Sequence, residues 1–118
     1  MHAKDVLGRK GESLAADHLI AQGMKVLARN WRCAAGEIDI VALEGSVVVI
    51  CEVRTRTSDR FGTPLDSVNA AKFARLRSLA MRWLIANDMR GAAVRVDVIG
   101  IIHPKHGPII LRHIRGAS

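Results

Sequence analysis

Residues 36 to 56 read GEIDIVALEGSVVVICEVRTR, and three carboxylates, Glu37, Asp39 and Glu52, stand there among Ile, Val, Leu and Cys. A carboxylate taken out of water without a partner costs on the order of several kcal/mol. A metal ion, a salt bridge or residual solvent could compensate. Gly45-Ser46 suits a two-residue type II′ hairpin with glycine first. That turn pairs Leu43 with Val48 and, counting outward, Asp39 with Glu52 and Glu37 with Arg54. Strand side chains alternate, so these four share one face. Directly opposite residues have Cβ atoms only about 5 Å apart. Two carboxylates that close repel unless a cation or a shared proton intervenes. A hard divalent ion such as Mg²⁺ takes such oxygen ligands and keeps several waters. A one-residue slip of register would put Asp39 and Glu52 on opposite faces.

The elements that must position these acids follow from the flanking pattern. Residues 5 to 22 fit a helix ending at Gly23, with Ala15, Ala16, Leu19 and Ile20 as a narrow apolar stripe. Glu12 falls within that stripe, and Gly8 and Gly11 leave room for close backbone approach. Such a Glu either points at a cation or simply complements the helix dipole. MKVLARNW (24 to 31) reads as a strand, then the loop RCAAG, then EIDIVAL and VVVICEVR as strands two and three. TRTSDRFGTPLD is the mobile-loop candidate. Ser67 reads as the N-cap of a second helix of about 20 residues whose buried face runs through Val68, Phe73, Leu76, Leu79, Ala80, Trp83 and Leu84. Lys72 lies on the apolar side of that helix, where it either snorkels or reaches the acids. AVRVDVIGII and, after the turn HPKHG, PIILRHIR complete five strands. The order α-β-β-β-α-β-β implies an α/β fold with a mixed five-stranded sheet flanked by helices.

A helical Glu, then GEIDI, then a hydrophobic strand ending in EVR resembles the PD-(D/E)xK nuclease superfamily. More closely, the chain is similar to the bacterial UPF0102 (YraN-like) family, whose fold is similar to that of archaeal Holliday-junction resolvases. The likeness runs from about Gly8 to Gly100, through GRKGE, NWR, GEIDIVA, VVVICEVRTR, FGTP and RVDVI. It implies a restriction-endonuclease-like sheet, with Asp39 and Glu52 as ligands of Mg²⁺ or Mn²⁺ and Glu12 as an accessory acid near the metal. It also raises a homodimer, for which the chain shows no seam. One departure matters: Arg54 stands where the superfamily has its catalytic lysine. A guanidinium stays protonated, so Arg54 can hold a phosphate or stabilise developing negative charge but cannot act as a base. Lys72 is the substitute that related nucleases with a helix-borne lysine suggest.

The whole chain agrees with a polyanionic partner. Its 18 Lys and Arg against 11 Asp and Glu give a formal charge of +7 in 118 residues. That surplus points to nucleic acid first and to an anionic membrane surface second; the nuclease resemblance implies DNA before RNA. Arg54, Arg56 and Arg60, with Lys72, are the residues expected to grip phosphates, giving salt-sensitive, sequence-independent binding. Basic residues elsewhere on the second helix read as a solvated face. Two Trp and two Phe are too few for a base-stacking platform; core packing is the expected role of Trp31 and Phe61. Cys33 and Cys51 lack CxxC spacing, which argues against a structural zinc site, and Cys51 reads as a small buried hydrophobe. With no disulfide framework, no signal-peptide pattern and no bilayer-spanning run, a cytoplasmic, non-membrane protein is expected. No GxSxG, P-loop or dinucleotide fingerprint is present.

One domain is expected over 1–118, with its core at about 5–102 and a C-terminal strand and basic tail at 103–118. His103 and His106 read as solvated turn residues. Asp97, another acid in an apolar strand, has no assigned chemistry, and pairing with an arginine is its default. Three functions stay open: a metal-dependent nuclease acting on structured DNA, a non-catalytic nucleic-acid-binding module on the same scaffold, and a protein-binding adaptor.

Overall fold

In the computed structural model, which describes residues 3–60 and 62–117, the order is α-β-β-β-α-β-β. Helix α1 covers Ala3–Ala21, and strands β1, β2 and β3 cover Lys25–Cys33, Gly36–Glu44 and Val47–Arg56. A 3₁₀ turn at Pro64–Ser67 leads into helix α2, Ala70–Ala86, followed by β4, Ala93–Ile102, and β5, Ile110–Ile114. The five strands lie in chain order in one open sheet. Only β3 and β4 run parallel; the other neighbours are antiparallel.

The helices take opposite faces because strand side chains alternate. Val49, Cys51, Ile99 and Ile101 pack with Ala15, Ala16 and Leu19 of α1. Val48, Ile50 and Val96 pack with Leu76, Leu79, Ala80 and Trp83 of α2. Helix α1 ends as expected at Gly23, whose φ of 92° is the left-handed value a C-cap requires. Its N–H donates to the Ile20 carbonyl, and that of Met24 to the Leu19 carbonyl. At the other end, the close approach expected at glycine occurs at Gly11 alone. A Cβ there would stand 1.8 Å from Thr55 Oγ1, whereas one at Gly8 would meet nothing within 4 Å.

Three sequence boundaries move. The second helix starts later than Ser67. Asn69 is its N-cap, accepting the Lys72 N–H at 2.9 Å, because Pro64 first closes a separate 3₁₀ turn in which Ser67 Oγ donates to the Pro64 carbonyl. Val68 therefore lies between the two and is not part of the helix face. The loop expected at 32–36 shrinks to a turn at 34–35, since Arg32 and Cys33 stay paired with Glu37 and Gly36. The last strand is shorter than PIILRHIR at both ends. Phe61 lies outside the described residues.

Candidate acidic site between β2, β3 and α2

The hairpin forms with the expected register, Leu43 opposite Val48, and Gly45 adopts the positive φ of 60° that the turn requires. The paired ladder stops at Ile40 opposite Cys51. Beyond it β2 stays with β1 and parts from β3, and Asp39 fills the gap. Its Oδ2 accepts the Val53 backbone N–H at 2.9 Å, supplying the acceptor that a continued ladder would have provided. Asp39 and Glu52 are thus neighbours, although their strands no longer pair there.

The expected Glu37–Arg54 partnership does not form. Glu37 remains across from Arg32 on the β1 side, their charged groups 3.1 Å apart and largely solvated. Departure of β2 at Asp39 removes Glu37 from β3. The pair on the exposed surface contributes little.

Glu52 is buried, 4% exposed, and two cations reach it. Arg54, two residues along the same strand face, places Nη2 2.8 Å from Oε2, and Lys72 Nζ lies 3.3 Å from that oxygen. Neither contact uses Oε1. The Asn69 cap fixes the first turn of α2, which is how Lys72 comes to overhang β3. Arg54 Nε is buried and has no hydrogen-bond partner among the described residues. Such a donor is costly to leave unmade.

The Asp39 carboxyl is pushed up to about 8. Burial is the main cause, followed by the charge of Glu52 and a hydrogen bond shared with it. The Val53 N–H pulls the other way, and Glu12 on α1 adds a smaller upward push. Asp39 therefore senses acids from two other elements, Glu52 on β3 and Glu12 on α1. Even so, no group of three or more His, Cys, Asp or Glu side chains is gathered tightly enough for a metal among the described residues. Two carboxylates suffice for a hydrated Mg²⁺ or Mn²⁺. Burial and mutual repulsion of Asp39 and Glu52 favour added positive charge between them, and oxygen donors of this kind fit such an ion.

Of the other expected site residues, Arg56 ends β3 and is exposed, and Arg60 sits exposed in the following loop, away from Glu52 in sequence. Asp97, given an arginine by default, does have one: Arg95 donates from Nε at 2.8 Å and Nη2 at 3.0 Å. Sequence reasoning missed the rest of that cluster. His113 Nε2 lies 2.7 Å from Asp97, the Gly116 N–H donates to it at 2.9 Å, and His18 Nε2 lies 3.1 Å from His113 Nδ1. The odd-numbered parity shared by Asp97 and the core residues Ile99 and Ile101 was the available signal, since it turns Asp97 toward α1.

The model of the "Uncharacterised protein family UPF0102" matches residues 11–101 of this chain. The chain belongs to the UPF0102 family. A UPF0102 protein of Nocardioides sp. is 50% identical over 113 residues, covering 96% of this chain and 91% of the relative. UPF0102 proteins of Frankia casuarinae and Arthrobacter sp. are 48% and 49% identical, with 99% and 100% of each chain covered. The UPF0102 match spans Glu12, Asp39, Glu52, Arg54 and Lys72 together. No helix among the described residues is long and apolar enough to cross a membrane.

Proposed function

We propose that this chain is a metal-dependent, nuclease-like domain that binds and cleaves structured DNA. The observation that carries the reading is the Asp39–Glu52 pair: two neighbouring acids at a strand break, the Asp39 carboxyl raised by burial and by the charge of Glu52, beside Arg54 and Lys72. Asp39 and Glu52 would hold Mg²⁺ or Mn²⁺, with Glu12 assisting. When bound, such an ion activates water and stabilises charge on a phosphate. The chain's own residues supply the rest. Arg54 presents a guanidinium suited to a phosphate oxygen, and its unpartnered Nε gives it a second donor to satisfy. Lys72, unlike an arginine, can exchange a proton, and it approaches from the helix rather than from the strand position held by Arg54. Arg56 and Arg60 extend the cationic track along the phosphate chain.

A second reading has its own observation. Both cations already bear on Glu52, as in a closed structural ion-pair cluster, which suits a module that binds DNA without cutting it. The two separate in one experiment: duplex, single-stranded, flap and four-way-junction DNA incubated with Mg²⁺ or Mn²⁺, beside an Asp39→Ala control. Metal-dependent cutting lost in the control supports the nuclease. Salt-sensitive binding without cutting supports the module. Cutting that survives in the control points to a contaminant and leaves the carboxylates without a role.

A further inference from the structure

A concavity lies on the α1 side of the sheet, where the parallel strands β3 and β4 end. It is a cavity of about 960 Å³ between the start of α1, the segment after β3 and the loop after β4. Carboxyl ends of parallel strands are where open α/β sheets collect ligands. Its chargeable lining residues are Lys10, Arg56, His103 and Lys105, and no carboxylate lines it among the described residues. Hydroxyls come from Thr55, Thr57 and Ser58. Val6, Leu7 and Pro104 supply an apolar wall. The His103 N–H donates to the Arg56 carbonyl at 2.7 Å, which ties the two basic sides of the mouth together.

The combination selects a ligand class. Cations and hydroxyls without acids suit an anion with several oxygens, and a phosphate meets that description. The apolar wall offers a contact surface to an anion that also carries a flat or apolar group. The volume lies within the range for small-molecule sites, roughly 300–1,000 Å³, and a base pair within a duplex cannot enter such a pocket. An unpaired nucleotide can, as in enzymes that take a base out of the stack. Thr55 follows Arg54 directly in β3, and Arg56 follows Thr55, so one strand carries the cationic residues from the acidic site to the pocket.

We propose that this cavity receives one unpaired nucleotide of the bound nucleic acid, its phosphate at Lys10, Arg56 and Lys105 and its base against Val6, Leu7 and Pro104. The proposal rests on the nucleic-acid reading above and narrows it to strands with a free, frayed or extruded nucleotide.

The test is an amide NMR titration of the full chain with a tetranucleotide of single-stranded DNA, with a duplex closed by hairpins at both ends, and with inorganic phosphate. The tetranucleotide is expected to shift the amides of Thr57, Ser58, His103 and Lys105. The Lys10→Glu/Lys105→Glu double variant, both residues being exposed, is expected to weaken that binding about tenfold or more while closed-duplex binding falls less. Shifts confined to Arg54 and Lys72, with the pocket amides unmoved, would overturn the pocket and leave the nucleic-acid reading standing. No shift with either DNA would remove both. Phosphate alone binding as tightly as the tetranucleotide would overturn the nucleotide assignment and leave an anion site.

Discussion

Asp97 and Glu52 stand almost back to back, since Cys51 pairs with Asp97 across β3 and β4 and Glu52 follows Cys51. Both are buried, on opposite faces of the sheet, and cations reach both, but Glu52 also has a second acid, Asp39, beside it whereas Asp97 meets only donors. Burial alone would raise the Asp97 carboxyl, but Arg95, the Gly116 N–H and His113 together hold it below the ordinary range. Arg95 continues to Glu44, which Arg115 also approaches, so the network extends to solvent. Across the sheet, Asp39 faces another acid and is raised to about 8. A carboxylate surrounded by donors is a fastening. One set against its own kind costs free energy that a proton or another positive charge relieves, and such perturbed groups gather at functional sites.

Removing each acid should break that comparison cleanly. Asp97→Ala strands a guanidinium, an imidazole and a backbone N–H, so a loss of about 3–5 kcal/mol is expected by urea denaturation. A loss under 1 kcal/mol would mean the network is ornamental. Gly11→Ala drives a methyl into Thr55, and about 1–3 kcal/mol of overpacking is expected, partly recovered in a Gly11→Ala/Thr55→Ala double variant. Because α1 carries both Glu12 and His18, this variant should disturb both centres. Asp39→Asn keeps an acceptor for the Val53 N–H and removes the cost of holding an ionisable group buried beside Glu52, so in EDTA it should stabilise the fold by about 1 kcal/mol or more. Destabilisation instead would make Asp39 a structural acid like Asp97.

The last effect is a slope. Asp39 has a raised folded pKa, so the native state holds more protons than the unfolded chain between about pH 4 and 8, and stability declines as pH rises through that window. Asp97 has a lowered folded pKa. Its contribution is present above about pH 4 and is lost as pH falls through the folded value. Urea titrations across pH should lose the first slope in Asp39→Asn and the acid limb in an Asp97→Asn variant.

The sequence made much of this legible, and for local reasons. Strand parity and the Gly45-Ser46 turn are short-range features, and they placed Asp39 beside Glu52. The Gly23 cap likewise needs only its own helix. Lys72 was assigned to the correct side of α2 although the cap was misplaced, because helical phase does not depend on where the helix begins. What escaped was long-range. The parting of β2 from β3 at Asp39 depends on β1 retaining Glu37, and the Asp97 network draws on α1, β4 and β5 at once. Alternation along one strand cannot reveal which distant histidine will meet an acid.

The parallel pairing of β3 with β4 has a temporal consequence. It joins Val47 to Ala93, 46 positions apart, with α2 in the interval, while the β2–β3 hairpin closes across two residues. Loop-closure entropy favours the hairpin first. Asp39 and Glu52 should therefore meet while the chain is still assembling, before Lys72 arrives to shield them, and Asp97 should find its partners last. Refolding kinetics can resolve that sequence. Conservative changes at Val48 or Ile50 should slow folding, whereas changes at Val96 or Val98 should chiefly speed unfolding.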